Sequence, residues 1–287
     1  MLIPNIFYLV LDSIFELFYF LGVIIAVGFL IAFIEKYIHT YLFRAFGRRG
    51  ILITAWIGTP IHEIGHLIQC LLWGHRVTCV KLLMINEPNA VLGFVEHQYN
   101  RNSLYQQIGN FFIGIGPVLS GIGTLILGMY VLIPNSYGSF IFYVQQIESF
   151  NYFSVEGLLT VGSVVSQLLK VLFTIENLLN PLFWIYTFIG ICISSHIALS
   201  KQDLKGSLRG VFALFIFYFI IKLVGIIIDV STRSIVQIFT EINAFLLIYS
   251  VIGIIFSLIA LFISYCLYFF NYRRGIYYGH KKYPYSR

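Results

Sequence analysis

The chain has 287 residues, 59% of them apolar and 10% charged, with a mean hydropathy of +0.88. Soluble domains are roughly 45–50% apolar and about 25% charged, so a water-soluble fold is excluded and a multi-pass integral membrane protein, placed in the cell membrane, is expected. The net charge of +6 does not call for nucleic acid, because the basic residues gather where apolar runs stop, at Arg44, Arg48 and Arg49 and over residues 273–287. That arrangement signals membrane topology.

A transmembrane helix needs about 20 apolar residues, and six stretches qualify: residues 17–34, 51–73, 106–133, 181–199, 208–229 and 243–270. No basic residue precedes the first and no small-residue cleavage site follows it, so it is expected to remain rather than be removed as a signal peptide. The basic loop at Arg44–Arg49 predicts an external N-terminus. Residues 158–179 are apolar enough for a seventh span, yet Ser163, Ser166, Gln167 and Lys170 recur at helical spacing and predict a polar stripe, as in an interfacial or cavity-lining helix. Counting it puts the C-terminus inside.

Between the second and third spans, residues 77–84 and 90–95 are β-rich and flank Asn86-Glu87-Pro88-Asn89, a turn-favouring cluster, which predicts a hairpin. The third span holds Gly109, Gly114, Gly116, Gly121, Gly123 and Gly128 around Pro117; small residues allow close helix approach and proline bends a helix, so tight packing is the expected role. Cys70, Cys79, Cys192 and Cys266 show no Cys-x-x-Cys spacing and imply no disulfide framework. The whole chain, residues 1–287, reads as one membrane-embedded domain ending in a basic tail over 271–287.

The second span contains Thr59-Pro60-Ile61-His62-Glu63-Ile64-Gly65-His66, a His-Glu-x-x-His pattern. Residues four apart on a helix lie on one face, so both imidazoles can meet one metal, with the glutamate beside them to take a proton from water. Seven His and nine Glu in the chain make about 0.005 chance occurrences, for a motif that otherwise has a known false-positive risk. Ionisable groups inside a span are costly and mark function by default. Thr59, His62, His66 and Gln69 share one face, whereas Ile61, Ile64, Ile68 and Leu71 cover others.

With His62-Glu63-Ile64-Gly65-His66 in an early span, a β-rich segment after it and Gly114-Ile115-Gly116-Pro117 in the next, the chain resembles the site-2 protease-like intramembrane zinc metallopeptidases over roughly residues 50–210. The spans and the hairpin predict an all-α polytopic bundle of six or seven transmembrane helices with a small β-hairpin insertion. The resemblance implies a Zn2+ cofactor held by His62 and His66, Glu63 as the general base, and membrane-anchored protein or peptide substrates. The family's third ligand is an aspartate followed by glycine, often after Asn-Pro or Leu; here Asn180-Pro181 is followed by Leu182-Phe183. The resemblance therefore assigns Asp203, near Gly206, as third metal ligand, with His196 as the competing ligand or as a group behind the ligands or an oxyanion donor. Asn110 is a candidate for positioning substrate backbone or for an interhelical amide bond.

Two other functions fit the same residues. A zinc protease of the prenyl-protein-processing type would take a glutamate as third ligand, from Glu148, Glu156 or Glu176. A non-catalytic metal-binding scaffold or transporter would show charged pairs in several spans and discontinuous helices. His75, His97 and His280 fall near loops and receive no role, and no nucleic-acid partner is expected.

Overall fold

A computed structural model describes residues 6–85, 91–147, 154–228, 230 and 233–277. Its elements in chain order are α1 (Ile6–Phe46), α2 (Arg48–Leu72), β1 (Arg76–Lys81), β2 (Phe94–Gln98), α3 (Leu104–Leu132), α4 (Pro134–Gln145), α5 (Val155–Leu172), α6 (Ile175–Leu179), α7 (Pro181–Ser194), α8 (Lys201–Ile227) and α9 (Arg233–Tyr277). Among the described residues six helices, α1, α2, α3, α5, α8 and α9, are long and apolar enough to cross a membrane. The protein is an all-α multi-pass membrane bundle with a small β-hairpin.

The first and last helices run parallel. Asn243 near the start of α9 donates to the carbonyls of Tyr19 and Phe20 in α1, and Asn271 near its end donates to Ala45. The described chain therefore begins and ends on opposite faces of the bundle. Their seam is apolar, with Ile24, Val27 and Ile31 of α1 and Ile248, Val251 and Ile252 of α9 all buried in one core. Toward the start of α1, Glu16 binds Lys222 at 2.6 Å and Tyr218 Oη at 2.7 Å, which ties α8 to it.

The centre of the bundle packs differently. Gly65 of α2 and Gly116 of α3 meet face to face: a Cβ on either would stand 2.6 Å from the other's carbonyl oxygen. On another side of α3, a Cβ at Gly114 would overlap Ser207 Oγ and stand 2.8 Å from the Asp203 carbonyl, and Gly210 abuts Phe111. These contacts set α8 antiparallel to α3, and only glycine lets the backbones come so close.

The expected spans are corrected in several places. α1 and α9 extend well beyond residues 17–34 and 243–270, and α9 runs through the start of the expected basic tail to Tyr277. Residues 181–199 are not one helix: α7 stops at Ser194, and Ser195–Ala198 is buried non-helical backbone. α8 begins at Lys201, before the expected residue 208, because Ser200 and Asp203 form a capping box there. Apolarity identifies such a stretch as membrane-embedded but is blind to where hydrogen bonding restarts. Residues 158–179 divide into α5 and α6, and Ser163, Ser166 and Lys170 are exposed rather than lining a cavity. α4 and α5 are fastened by Asn177, whose amide reaches Ser136 Oγ and the carbonyls of Val171 and Leu172.

The hairpin forms, but its second strand is Phe94–Gln98 rather than residues 90–95. The register pairs Val77 with His97 and Lys81 with Phe94 across an irregularity between Val77 and Cys79. Residues 86–89, the expected turn, lie outside the described residues. All four cysteines are free.

Candidate metal centre

α2 carries the His-Glu-x-x-His residues as its spacing requires. Thr59, Glu63 and His66 are buried, while Ile64, Ile68 and Leu71 face outward. The polar stripe thus points into the bundle. Each motif histidine is oriented by a backbone carbonyl of another element: His62 Nδ1 donates to His196 O and His66 Nδ1 to Ile113 O, both at 2.8 Å. Carbonyls only accept, so both rings carry a proton on Nδ1, and in its neutral form each keeps a lone pair on Nε2.

The two Nε2 atoms stand 3.1 Å apart. Asp203, in the first turn of α8, brings Oδ1 to 3.2 Å from His66 Nε2 and Oδ2 to 3.8 Å from His62 Nε2. Three donors bound at about 2.0–2.1 Å to a tetrahedral centre would be about 3.3–3.4 Å apart; the 3.1 and 3.2 Å spacings lie near this, and one ligand atom from each of the three residues lies within 4.8 Å of the others, a group that could hold one ion. The donor types, two imidazoles and a carboxylate, suit zinc, and imidazole ligands are normally steadied by a carbonyl on the other ring nitrogen, as both are here. Lone pairs this close repel unless a proton or a metal cation lies among them.

Asp203 also accepts from Ser200 N at 2.7 Å, so the capping of α8 fixes its carboxylate. Among the described residues it pairs with neither Lys201 nor Lys205. His196 supplies its backbone rather than its ring: the ring bonds Thr54 Oγ1 at 2.8 Å, away from the group formed by His62, His66 and Asp203. Glu156 and Glu176 are exposed on α5 and α6 and join no such group, and Glu148 lies outside the described residues.

A cavity of about 520 Å³ opens on His62, Glu63, His66 and Asp203 and is walled by Gly93, Phe94 and His97 of the hairpin region and by Asn110. The hairpin passes directly over the glutamate, since a Cβ at Gly93 would lie 2.8 Å from Glu63 Cγ. Asn110 lines the cavity, although its amide also reaches the carbonyls of Gln106 and Gln107. The hairpin is anchored by two histidines to which the sequence assigns no role. His75 Nε2 bonds Gln106 O at 2.8 Å, and His75 Nδ1 meets His97 Nδ1 at 2.9 Å. Burial, then the neighbouring His75 and His66, push the His97 imidazole down to about 4. His280 lies outside the described residues.

Glu35 belongs to the surroundings of the site without a motif in the sequence to mark it. Its carboxylate, on α1, accepts from Ala198 N at 2.9 Å and so holds the non-helical segment whose His196 carbonyl orients His62. An acidic residue at the end of an apolar run was the only signal, and such residues usually mark the membrane boundary. Comparison with family models, with curated proteins and with solved structures finds no match for this chain.

Proposed function

We propose that this protein is an intramembrane zinc peptidase of the site-2 protease-like kind, hydrolysing peptide bonds of membrane-anchored proteins or peptides. The observation that carries this reading is the convergence of the His62 and His66 Nε2 lone pairs and the Asp203 carboxylate beside Glu63, inside a cavity. Zinc held by these three residues would supply Lewis acidity, lowering the pKa of water and polarising the scissile carbonyl. Glu63 makes no hydrogen bond to described residues and lines the same cavity, so its carboxylate is free to accept the proton of the attacking water and return it to the leaving amine. Residues 93–97 run along that cavity, and β2 pairs with β1 on one edge alone among the described strands. The other edge suits a substrate held extended by main-chain hydrogen bonds, which exposes a peptide bond that a helix would shield.

One observation favours a second reading, a transporter or metal-binding scaffold: α7 and α8 are separated by buried non-helical backbone, as in transporters with discontinuous helices. The glutamate-ligand, prenyl-protein-processing type has no comparable support among the described residues. Glu63→Gln separates the readings. The peptidase requires that this variant keep zinc and lose hydrolysis of a reconstituted transmembrane substrate by about 10²–10⁴-fold; turnover within a few-fold of wild type would remove the mechanism.

A further inference from the structure

α3 contains Pro117 within its helical span, Leu104–Leu132. In a regular helix the N–H of a residue donates to the carbonyl four positions earlier, and proline has no N–H to give. The carbonyl that Pro117 leaves without its helical donor is that of Ile113. This is the carbonyl that accepts from His66 Nδ1 at 2.8 Å. The levels of the two helices make the match possible: Gly65, next to His66, touches Gly116, next to Pro117, so the deprived carbonyl lies about one turn along α3 from the contact and opposite the imidazole.

We propose that Pro117 is a positioning residue for His66: by withholding an amide proton inside α3, it frees the Ile113 carbonyl to fix the tautomer and orientation of the imidazole. The inference rests on the metal-centre reading above, and gives the Gly116-Pro117 pair a task for each residue. Gly116 lets α2 approach, and Pro117 supplies the acceptor that greets it. A proline kept only for bending would not need its orphaned carbonyl to face a histidine.

The decisive feature is that the two effects of Pro117→Ala have opposite signs. Restoring an amide gives α3 its missing hydrogen bond, so the metal-free protein should unfold at the same temperature as wild type or higher. The same amide competes for Ile113 O, so zinc affinity, measured by chelator competition, should fall about ten- to a hundred-fold, as when a group behind a metal ligand is removed. In metal-free protein with isotope-labelled histidine, the strongly hydrogen-bonded His66 Nδ1–H resonance should weaken or move upfield. That measurement involves no zinc, so it tests Pro117 even if the wild-type chain binds none and the peptidase reading fails. An unchanged His66 resonance, unchanged zinc affinity in a wild type that binds zinc, or a variant that loses fold stability would each overturn the proposal, the last by marking Pro117 as a packing residue.

Discussion

Two helix contacts in this bundle are built on different principles. Along the parallel pair α1 and α9 the seam is filled by buried isoleucines and valines, whereas α3 meets α2 and α8 through Gly65, Gly114, Gly116 and Gly210, backbone against backbone. Branched side chains can repack around a small change, so the first seam tolerates substitution. Backbones in contact have nothing to yield. The three residues proposed to hold the metal all belong to the second region, His62 and His66 on α2 and Asp203 on α8, with α3 between them as a spacer of fixed thickness.

The sharpest way to break this contrast is Gly114→Val. Its side chain would occupy the space of Ser207 Oγ and push away the first turn of α8 with Asp203; overpacking of this kind costs about 1–3 kcal/mol, and zinc binding should drop by more than an order of magnitude. The matching change in the other seam, Ile31→Val at a fully buried position, should cost about 0.5–1.5 kcal/mol and leave zinc affinity unchanged. Equal effects on zinc would erase the distinction between the two regions.

A smaller effect concerns the hairpin over the site. Proline at Val80 or Phe94 removes a strand N–H and should slow cleavage of a transmembrane substrate several-fold without altering zinc content. Normal cleavage by both variants would reduce the hairpin to a connector.

The smallest effect is on pH. Because His97 is held at about 4, below its ordinary 6.5, the folded hairpin binds fewer protons than the unfolded chain. The anchoring it contributes is therefore complete above about pH 6.5 and is lost progressively as the pH falls toward 4. Hydrogen exchange over residues 76–98, corrected for intrinsic rates, should show protection falling between pH 7 and pH 4.5, and His97→Asn should flatten that dependence.

What was legible in the sequence depended on range. His62, Glu63 and His66 share one helix, so local periodicity alone aligns them. Asp203 was reachable through a family resemblance, since nothing in residues 195–206 states which group folds back onto α2. The break after Ser194 was invisible to hydropathy, because Ser195–Ala198 is buried like the last turn of α7 before it and only the Ser200–Asp203 cap marks the restart. Glu35, the Ile113 carbonyl and the His196 carbonyl were out of reach, because each acts through tertiary contact with a distant element.

The central claim is that His62, His66 and Asp203 together hold a metal. Zinc content of the purified chain, compared with Asp203→Ala and with Glu148→Ala, Glu156→Ala and Glu176→Ala, tests it most directly. The account predicts a zinc ion per chain in the wild type and in all three glutamate variants, and its loss from Asp203→Ala. Full zinc in Asp203→Ala together with loss from one glutamate variant would contradict it and assign the site to the glutamate-ligand type.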